Sequence, residues 1–252
     1  MSLRFVRQEG AEALYICPDC GKPKLSWNAA RGLGRCLTCG KGYNEVTFGR
    51  LLGKELTADV PKVSWRRPTP AVGFAEAWND PRCRAYLLGR GVDQMQAEMC
   101  GVLYADDQVH FAVWSPFGDP PMLMRRSILP GKKGWRSFSA SKENYLFGEW
   151  PIYGPVVLVE GTFDVMTPNL WGAAVATLGK SVSFDMAMWI ASHSEQVFIW
   201  YDPDAAGIEG SLHVADLLTS LGSLPRLIHA KEPGSCTFLE AQTILKGYGI
   251  IT

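Results

Sequence analysis

The sequence predicts an α/β protein in three parts. A parallel sheet flanked by helices forms the C-terminal part, a mixed α+β subdomain rich in basic residues precedes it, and a small cysteine-bearing ribbon lies at the N terminus. Three observations carry this reading. Val156–Asp164 and Phe198–Gly207 are apolar, largely β-branched or aromatic runs that stop abruptly in carboxylates and glycine, as buried parallel strands do where they reach a sheet edge. Two Cys-x-x-Cys pairs stand near the start. The net charge of zero is also segregated along the chain: residues 1–70 carry 12 Lys and Arg against 6 Asp and Glu, residues 71–155 carry 9 against 9, and residues 156–252 carry 4 against 10. A basic front and an acidic end fit a polyanion held near a divalent cation.

At 252 residues, 47% hydrophobic and 20% charged, the chain has the composition of a packed protein and not of a disordered one. No apolar run approaches the ~20 residues of a membrane span. The first residues lack a signal-peptide core, so the expectation is a cytoplasmic protein with no membrane partner. Seven cysteines form an odd set, which argues against a secreted disulfide framework.

Residues 1–58 are read as the ribbon. Cys17-Pro-Asp-Cys20 and Cys36-Leu-Thr-Cys39 are separated by 15 residues, and Gly21 and Gly40 follow the pairs. Four thiolates at this spacing suit one closed, tetrahedral, structural Zn²⁺ per chain. Lys22, Lys24, Trp27, Arg31, Arg35, Lys41 and Tyr43 interleave basic and aromatic residues, which could contact phosphates and stacked bases. Residues 59–73 hold three prolines within Val60–Val72 and read as a stiff, extended linker. The ribbon is therefore expected to be tethered rather than packed.

Residues 74–154 form the middle subdomain. The pattern turns helical from about Phe74 through Leu88, and a short helix is expected over Gln94–Met99. Strands are expected over His110–Pro116 and Met122–Ile128. Between Arg125 and Lys142 lie six basic residues and no acid: Arg125, Arg126, Lys132, Lys133, Arg136 and Lys142. Clustered charge makes them candidates for holding nucleic acid and nucleotide, although Gly131–Arg136 also reads as an ordinary hairpin tip.

Residues 155–252 alternate strand and helix, with strands over Val156–Glu160, Ala173–Leu178, Val197–Asp202 and Arg226–Ala230. That alternation means a Rossmann-like parallel sheet, whose carboxyl edge is the usual ligand site. Glu160, Asp164, Asp202 and Asp204 fall at two such edges and supply hard oxygen ligands suited to Mg²⁺. Each aspartate also fits a helix N-cap. Gly179-Lys180-Ser181 is not a P-loop, because Ala174 stands where the first glycine of that motif belongs.

Glu160-Gly161-x-x-Asp164, Leu178-Gly179-Lys180, Asp202-x-Asp204-x-x-Gly207 and Lys231-Glu232-Pro233 together resemble the TOPRIM domain shared by primases, topoisomerases and some nucleases. With the four-cysteine ribbon, Tyr86–Gly91, Met124-Arg125-Arg126 and Leu146-Phe147-Gly148, the chain is similar to a DnaG-type DNA primase, most of all to the primase half of phage primase–helicases. The family usually has aspartate at Glu232 and a further acid where Gly234-Ser235 stands here.

The resemblance implies synthesis of short RNA primers on a single-stranded DNA template from ribonucleoside triphosphates by two-metal nucleotidyl transfer. Mg²⁺ or Mn²⁺, two ions, would be held by Glu160, Asp202, Asp204 and Glu232, with Asp164 in support. Glu160 could instead take the 3′-hydroxyl proton. Lys180 and Lys231 join the basic strip as nucleotide contacts, the ribbon helps choose the start site, and a separate replicative helicase is the expected partner. If phage-encoded, the protein would work in the host cytoplasm. Two other readings stay open: a TOPRIM nuclease, and a non-enzymatic recombination mediator that binds DNA.

Overall fold

The structure is a computed structural model that describes residues 3–10, 12–29, 33–44, 48, 51, 73–117, 122–131, 135–136, 142–151, 154–194 and 196–251. Arg31, Lys132, Lys133 and all of the expected linker except Gly73 lie outside the described residues. Of Arg136, only the backbone is described.

The ribbon is an antiparallel meander in chain order: β1 (Arg4–Glu9), β2 (Glu12–Ile16), β3 (Leu25–Asn28), β4 (Leu33–Cys36) and β5 (Gly42–Asn44). Its small core gathers Cys17, Leu25, Trp27, Cys36, Tyr43 and Phe48. Trp27 stacks on Phe48 with ring centroids 3.8 Å apart. This corrects one expectation, because Trp27 and Tyr43 are buried in the ribbon and present no free ring face for a base. Both rings are spent on the ribbon's own core.

The expectation of an unpacked ribbon is also corrected. The guanidinium of Arg35 lies 4.3 Å over the Phe184 ring, and Gly42 lies against Leu221, Phe184 and Met188. Linker composition describes a tether. It is silent on the apolar helix face that the tethered piece meets.

The middle subdomain holds a second antiparallel sheet, ordered β10-β9-β8-β7-β6, from β6 (Ala75–Glu76), β7 (Leu103–Ala105), β8 (Gln108–Val113), β9 (Met122–Ser127) and β10 (Trp135–Arg136). The first helix runs Pro81–Leu88 and does not begin at Phe74. Asp80 caps it by accepting from the Arg82 and Cys83 amides at 2.9 and 3.0 Å, and Pro81 suits the first helical position. The helix Gln94–Met99 matches its expectation, and Asp93 and Gln96 form its capping box. Gln96 Nε2 also donates to the Met166 carbonyl at 2.8 Å, which ties this helix to the C-terminal part. β10 pairs antiparallel with β9, Trp135 opposite Arg126 and Arg136 opposite Arg125.

The C-terminal sheet is parallel, ordered β12-β11-β13-β14, from β11 (Val156–Val159), β12 (Ala174–Ala176), β13 (Val197–Ile199) and β14 (Arg226–Leu227). Helices Thr162–Met166, Phe184–His193, Ala205–Ser220 and Phe238–Gly247 connect and cover it. Alternate strand residues enter two cores: Val157, Val159, Phe198 and Trp200 on one face, Val156, Leu158, Val197 and Ile199 on the other. Burial on both faces is why these strands read as unbroken apolar runs. Leu146 and Phe147 strap the two large sheets together, Leu146 bridging to Trp114 and Phe147 to Ala176 of β12. Among the described residues no helix is long and apolar enough to cross a membrane.

Candidate metal centres and nucleic-acid interface

The sulfurs of Cys17, Cys20, Cys36 and Cys39 all lie within 4.8 Å of one another. Each pair sits in a tight turn that ends in a left-handed glycine, Gly21 at φ 69° and Gly40 at φ 76°. The turn brings the Thr38 amide 3.4 Å from Cys36 Sγ. Burial raises the Cys36 pKa, but the amides of Cys39 and Thr38 outweigh it and hold the thiol at about 7. Tyr43 Oη stands 3.2 Å from Cys17 Sγ and donates to Asp19, so the site has a supporting outer layer. The donor set fits one structural Zn²⁺. Cys83, by contrast, is buried alone, and burial pushes its thiol up to about 12.

The second centre lies at the carboxyl edge of the parallel sheet. One cavity of about 310 Å³ is lined by Glu160 at the end of β11, Asp164 on the following helix, Asp202 beyond β13 and Glu232 beyond β14. Oxygens of Asp164, Asp202 and Glu232 come within 4.8 Å of one another. Asp164 is buried and accepts from the Gly161 amide at 2.6 Å and the Gly234 amide at 3.1 Å. Burial, then the charges of Asp202 and Glu232, push its pKa up to about 7 against the pull of the Gly161 amide. Burial likewise raises Asp202 to about 6, with Glu160, Glu232 and Asp204 adding to it. Glu160 is raised too, first by burial; the Asp202 amide opposes this from 3.2 Å. Asp202 Oδ1 is buried with no hydrogen-bond partner among the described residues. Crowded carboxylates with an orphaned oxygen fit a divalent cation.

Gly207 explains its place in the motif. A Cβ there would run into the Asp202 carbonyl and come within 2.6 Å of Glu160 Oε1, so only glycine lets the helix start so close to the acids.

The basic residues divide. Arg126 and Lys142 line the acidic cavity. Arg125, the neighbour of Arg126 on β9, points elsewhere, opposite His110 in the sheet. Lys180 pairs with Glu209 at 3.6 Å and Lys231 with Glu240 at 2.7 Å, and neither lines the cavity. Asp204 stands at the rim, where it caps the helix Ala205–Ser220 by accepting from the Gly207 amide at 2.7 Å. Glu232, the residue that departs from the family pattern, is inside the cluster. Sequence reasoning did not single out Arg90, which lines the same cavity and lies 4.8 Å over the Phe163 ring. The Tyr86–Gly91 segment carried the signal, but nothing in it said that the arginine faces the acids.

Residues 157–234 match the Toprim-like family model. No curated protein matches the sequence. Among solved structures, the zinc-binding and RNA polymerase domains of the Aquifex aeolicus primase align at 17% identity and TM-score 0.57, covering 98% of this chain and 80% of that one. The primase fragment of the bacteriophage T7 primase-helicase aligns at 16% identity and TM-score 0.55, covering 96% and 98%. The Escherichia coli primase catalytic core aligns at 15% identity and TM-score 0.55, covering 68% and 75%. The chain therefore shares the fold of these structures, a four-cysteine ribbon followed by a part that contains the Toprim-like match.

Proposed function

We propose that this chain is a DNA primase, a nucleotidyltransferase that builds short RNA primers on single-stranded DNA. The observation that carries the reading is the shared cavity: Glu160, Asp164, Asp202 and Glu232 face Arg90, Arg126 and Lys142 across one space. Acids and bases so arranged can hold a polyphosphate through cations on one side and ammonium and guanidinium groups on the other.

Asp164, Asp202 and Glu232 would hold Mg²⁺ or Mn²⁺, with Asp204 at the rim within electrostatic reach. When bound, such ions supply charge stabilisation to the phosphoryl oxygens during attack of a ribose 3′-hydroxyl on the α-phosphate. Arg126 and Lys142 hold the triphosphate in place. Glu160, raised in pKa and half-buried, suits acceptance of the 3′-hydroxyl proton, since its basicity is greater than that of an exposed carboxylate. The zinc ribbon presents template to this cavity, as its docked position beside Phe184 supports. A separate replicative helicase is the expected partner, by analogy with the T7 primase-helicase.

Incubating the protein with single-stranded DNA, Mg²⁺ and labelled ribonucleotides tests the reading. New oligoribonucleotides support it, cut DNA supports a TOPRIM nuclease, and binding alone supports a recombination mediator. The acidic cluster favours either enzyme over a mediator, which has no need of intact acids.

A further inference from the structure

We propose that Gly179, clamped by the Thr177 hydroxyl that Tyr201 in turn holds, is a positioning residue that seats the Lys142 ammonium in the acidic cavity. The proposal deepens the nucleotidyl-transfer reading and rests on it.

The chain leaves β12 through a turn that ordinary residues avoid. Leu178 has φ 62° and Gly179 φ 144°, and a left-handed leucine persists only where its surroundings hold it. Here the hold is explicit. Thr177 Oγ1 donates towards the Gly179 carbonyl at 2.7 Å and the Val159 carbonyl at 3.1 Å. With its one hydrogen so committed, it accepts from the Tyr201 hydroxyl at 2.8 Å. Tyr201 is buried at the end of β13. The Gly179 amide donates to the Glu160 carbonyl at 3.0 Å. The turn is thus pinned to the ends of the two strands that carry Glu160 and Asp202.

What the turn leaves is a space. A Cβ on Gly179 would lie 2.6 Å from Lys142 Nζ and 3.4 Å from its Cε, so the ammonium occupies the place a side chain would take. The other end of that lysine is fixed as well. Glu143, the next residue, accepts from Ser181 Oγ at 2.8 Å, and its carbonyl accepts from the Ser183 amide at 3.1 Å. Both ties run to the segment that follows Gly179. Strained turn, hydroxyl clamp and lysine seat form one connected arrangement whose output is the position of a single positive charge, facing the site where a triphosphate would lie.

A lysine side chain is long and flexible, so Gly179→Ala displaces the ammonium while the fold survives. Gly172 supplies the control: it is left-handed at φ 79° and, among the described residues, nothing lies within 4 Å of an added Cβ, so Gly172→Ala puts an alanine at a positive φ without touching Lys142. The experiment measures kcat and nucleotide KM for primer synthesis by the full chain, with thermal unfolding alongside. Gly179→Ala and Lys142→Gln should each raise nucleotide KM about tenfold, the loss of one charge-assisted contact. The double variant should be no worse than either single one, because both remove the same interaction. Gly172→Ala should leave KM unchanged, and Tyr201→Phe, which keeps the ring, should raise it in the same direction. A multiplied loss in the double variant, an equal effect of Gly172→Ala, or an unchanged KM in Gly179→Ala or Tyr201→Phe would overturn the proposal. If the wild-type protein makes no oligonucleotide, nucleotidyl transfer is the reading that fails. Binding of inorganic tripolyphosphate with Mg²⁺ then decides the seat by the same non-additivity, and equal affinity of wild type and Gly179→Ala overturns it.

Discussion

The cysteine cluster draws its four sulfurs from two short turns, Cys17–Cys20 and Cys36–Cys39, each closed by its own glycine. The acidic cluster instead draws Asp164, Asp202 and Glu232 from three segments that meet only at the edge of a parallel sheet. One site is local, the other assembled. A local site depends on its cation to fold, because a ribbon whose described core gathers six buried residues has little else to hold it. An assembled site stands on two large apolar cores and bears the repulsion of its crowded carboxylates at their expense. Losing the cation should therefore unfold the first and only disarm the second.

The largest expected effect breaks that comparison at the acidic site. Asp202→Asn should lower primer synthesis by at least about a hundredfold, the scale of losing a preorganised charge at a reacting centre, while DNA binding stays close to wild type and thermal stability is kept or raised. Steady-state synthesis beside a filter-binding assay measures both. An active Asp202→Asn protein would remove Asp202 from the metal set.

At the cysteine site the order reverses. Cys36→Ser should lose the one zinc per chain and unfold the ribbon, leaving residues 74–252 folded. Metal analysis and limited proteolysis check this, and a full zinc content in the variant would break the assignment.

A pH series sharpens the contrast further. Asp164 and Asp202 titrate at about 7 and about 6 in the fold, above the ordinary value of ~3.9 for an unfolded aspartate. A raised folded pKa means the native state binds protons more tightly than the unfolded one. The stability these groups contribute is fully present below about pH 4 and is lost as pH rises through about 6 to 7. In EDTA the melting temperature of the catalytic core should fall across that window, and Mg²⁺ should restore it above pH 7. A flat profile with and without Mg²⁺ would contradict the arrangement.

Asp204 offers a smaller effect. Asp204→Ala should cost about 1 kcal/mol as a lost helix cap, and Asp204→Asn, which still caps, should cost little stability and less activity than Asp202→Asn. Equal activity losses at the two positions would place Asp204 among the direct ligands. The smallest effect lies where the two regions touch. Arg35→Ala should loosen ribbon docking by about 0.5–1 kcal/mol, the worth of one exposed cation–π contact over Phe184. Small-angle scattering should then show a larger radius of gyration, and an unchanged value would mean that the Gly42 contact suffices.

Sequence patterns settled what is periodic or local in this protein. The four-cysteine cluster follows from spacing, because both of its halves lie within four-residue turns. The two central strands, β11 and β13, follow from apolar runs ending in acid, because burial on both faces leaves no alternation to misread. The short helix Gln94–Met99 stands where its sequence expectation put it. Tertiary structure decided everything that depends on which way a side chain leaves its element or on what lies across a gap. Arg125 and Arg126 are adjacent in sequence yet face opposite sides of β9, so only Arg126 reaches the acids. Lys180 and Lys231 carry the right charge, but they pair with Glu209 and Glu240 and do not line the cavity. Trp27 and Tyr43 are absorbed by the ribbon's core, and Arg90 is brought to the cavity by packing on Phe163. Spacing encodes chemistry within a turn or along a strand; which charges share one cavity is set by the folding together of segments that are far apart in the chain.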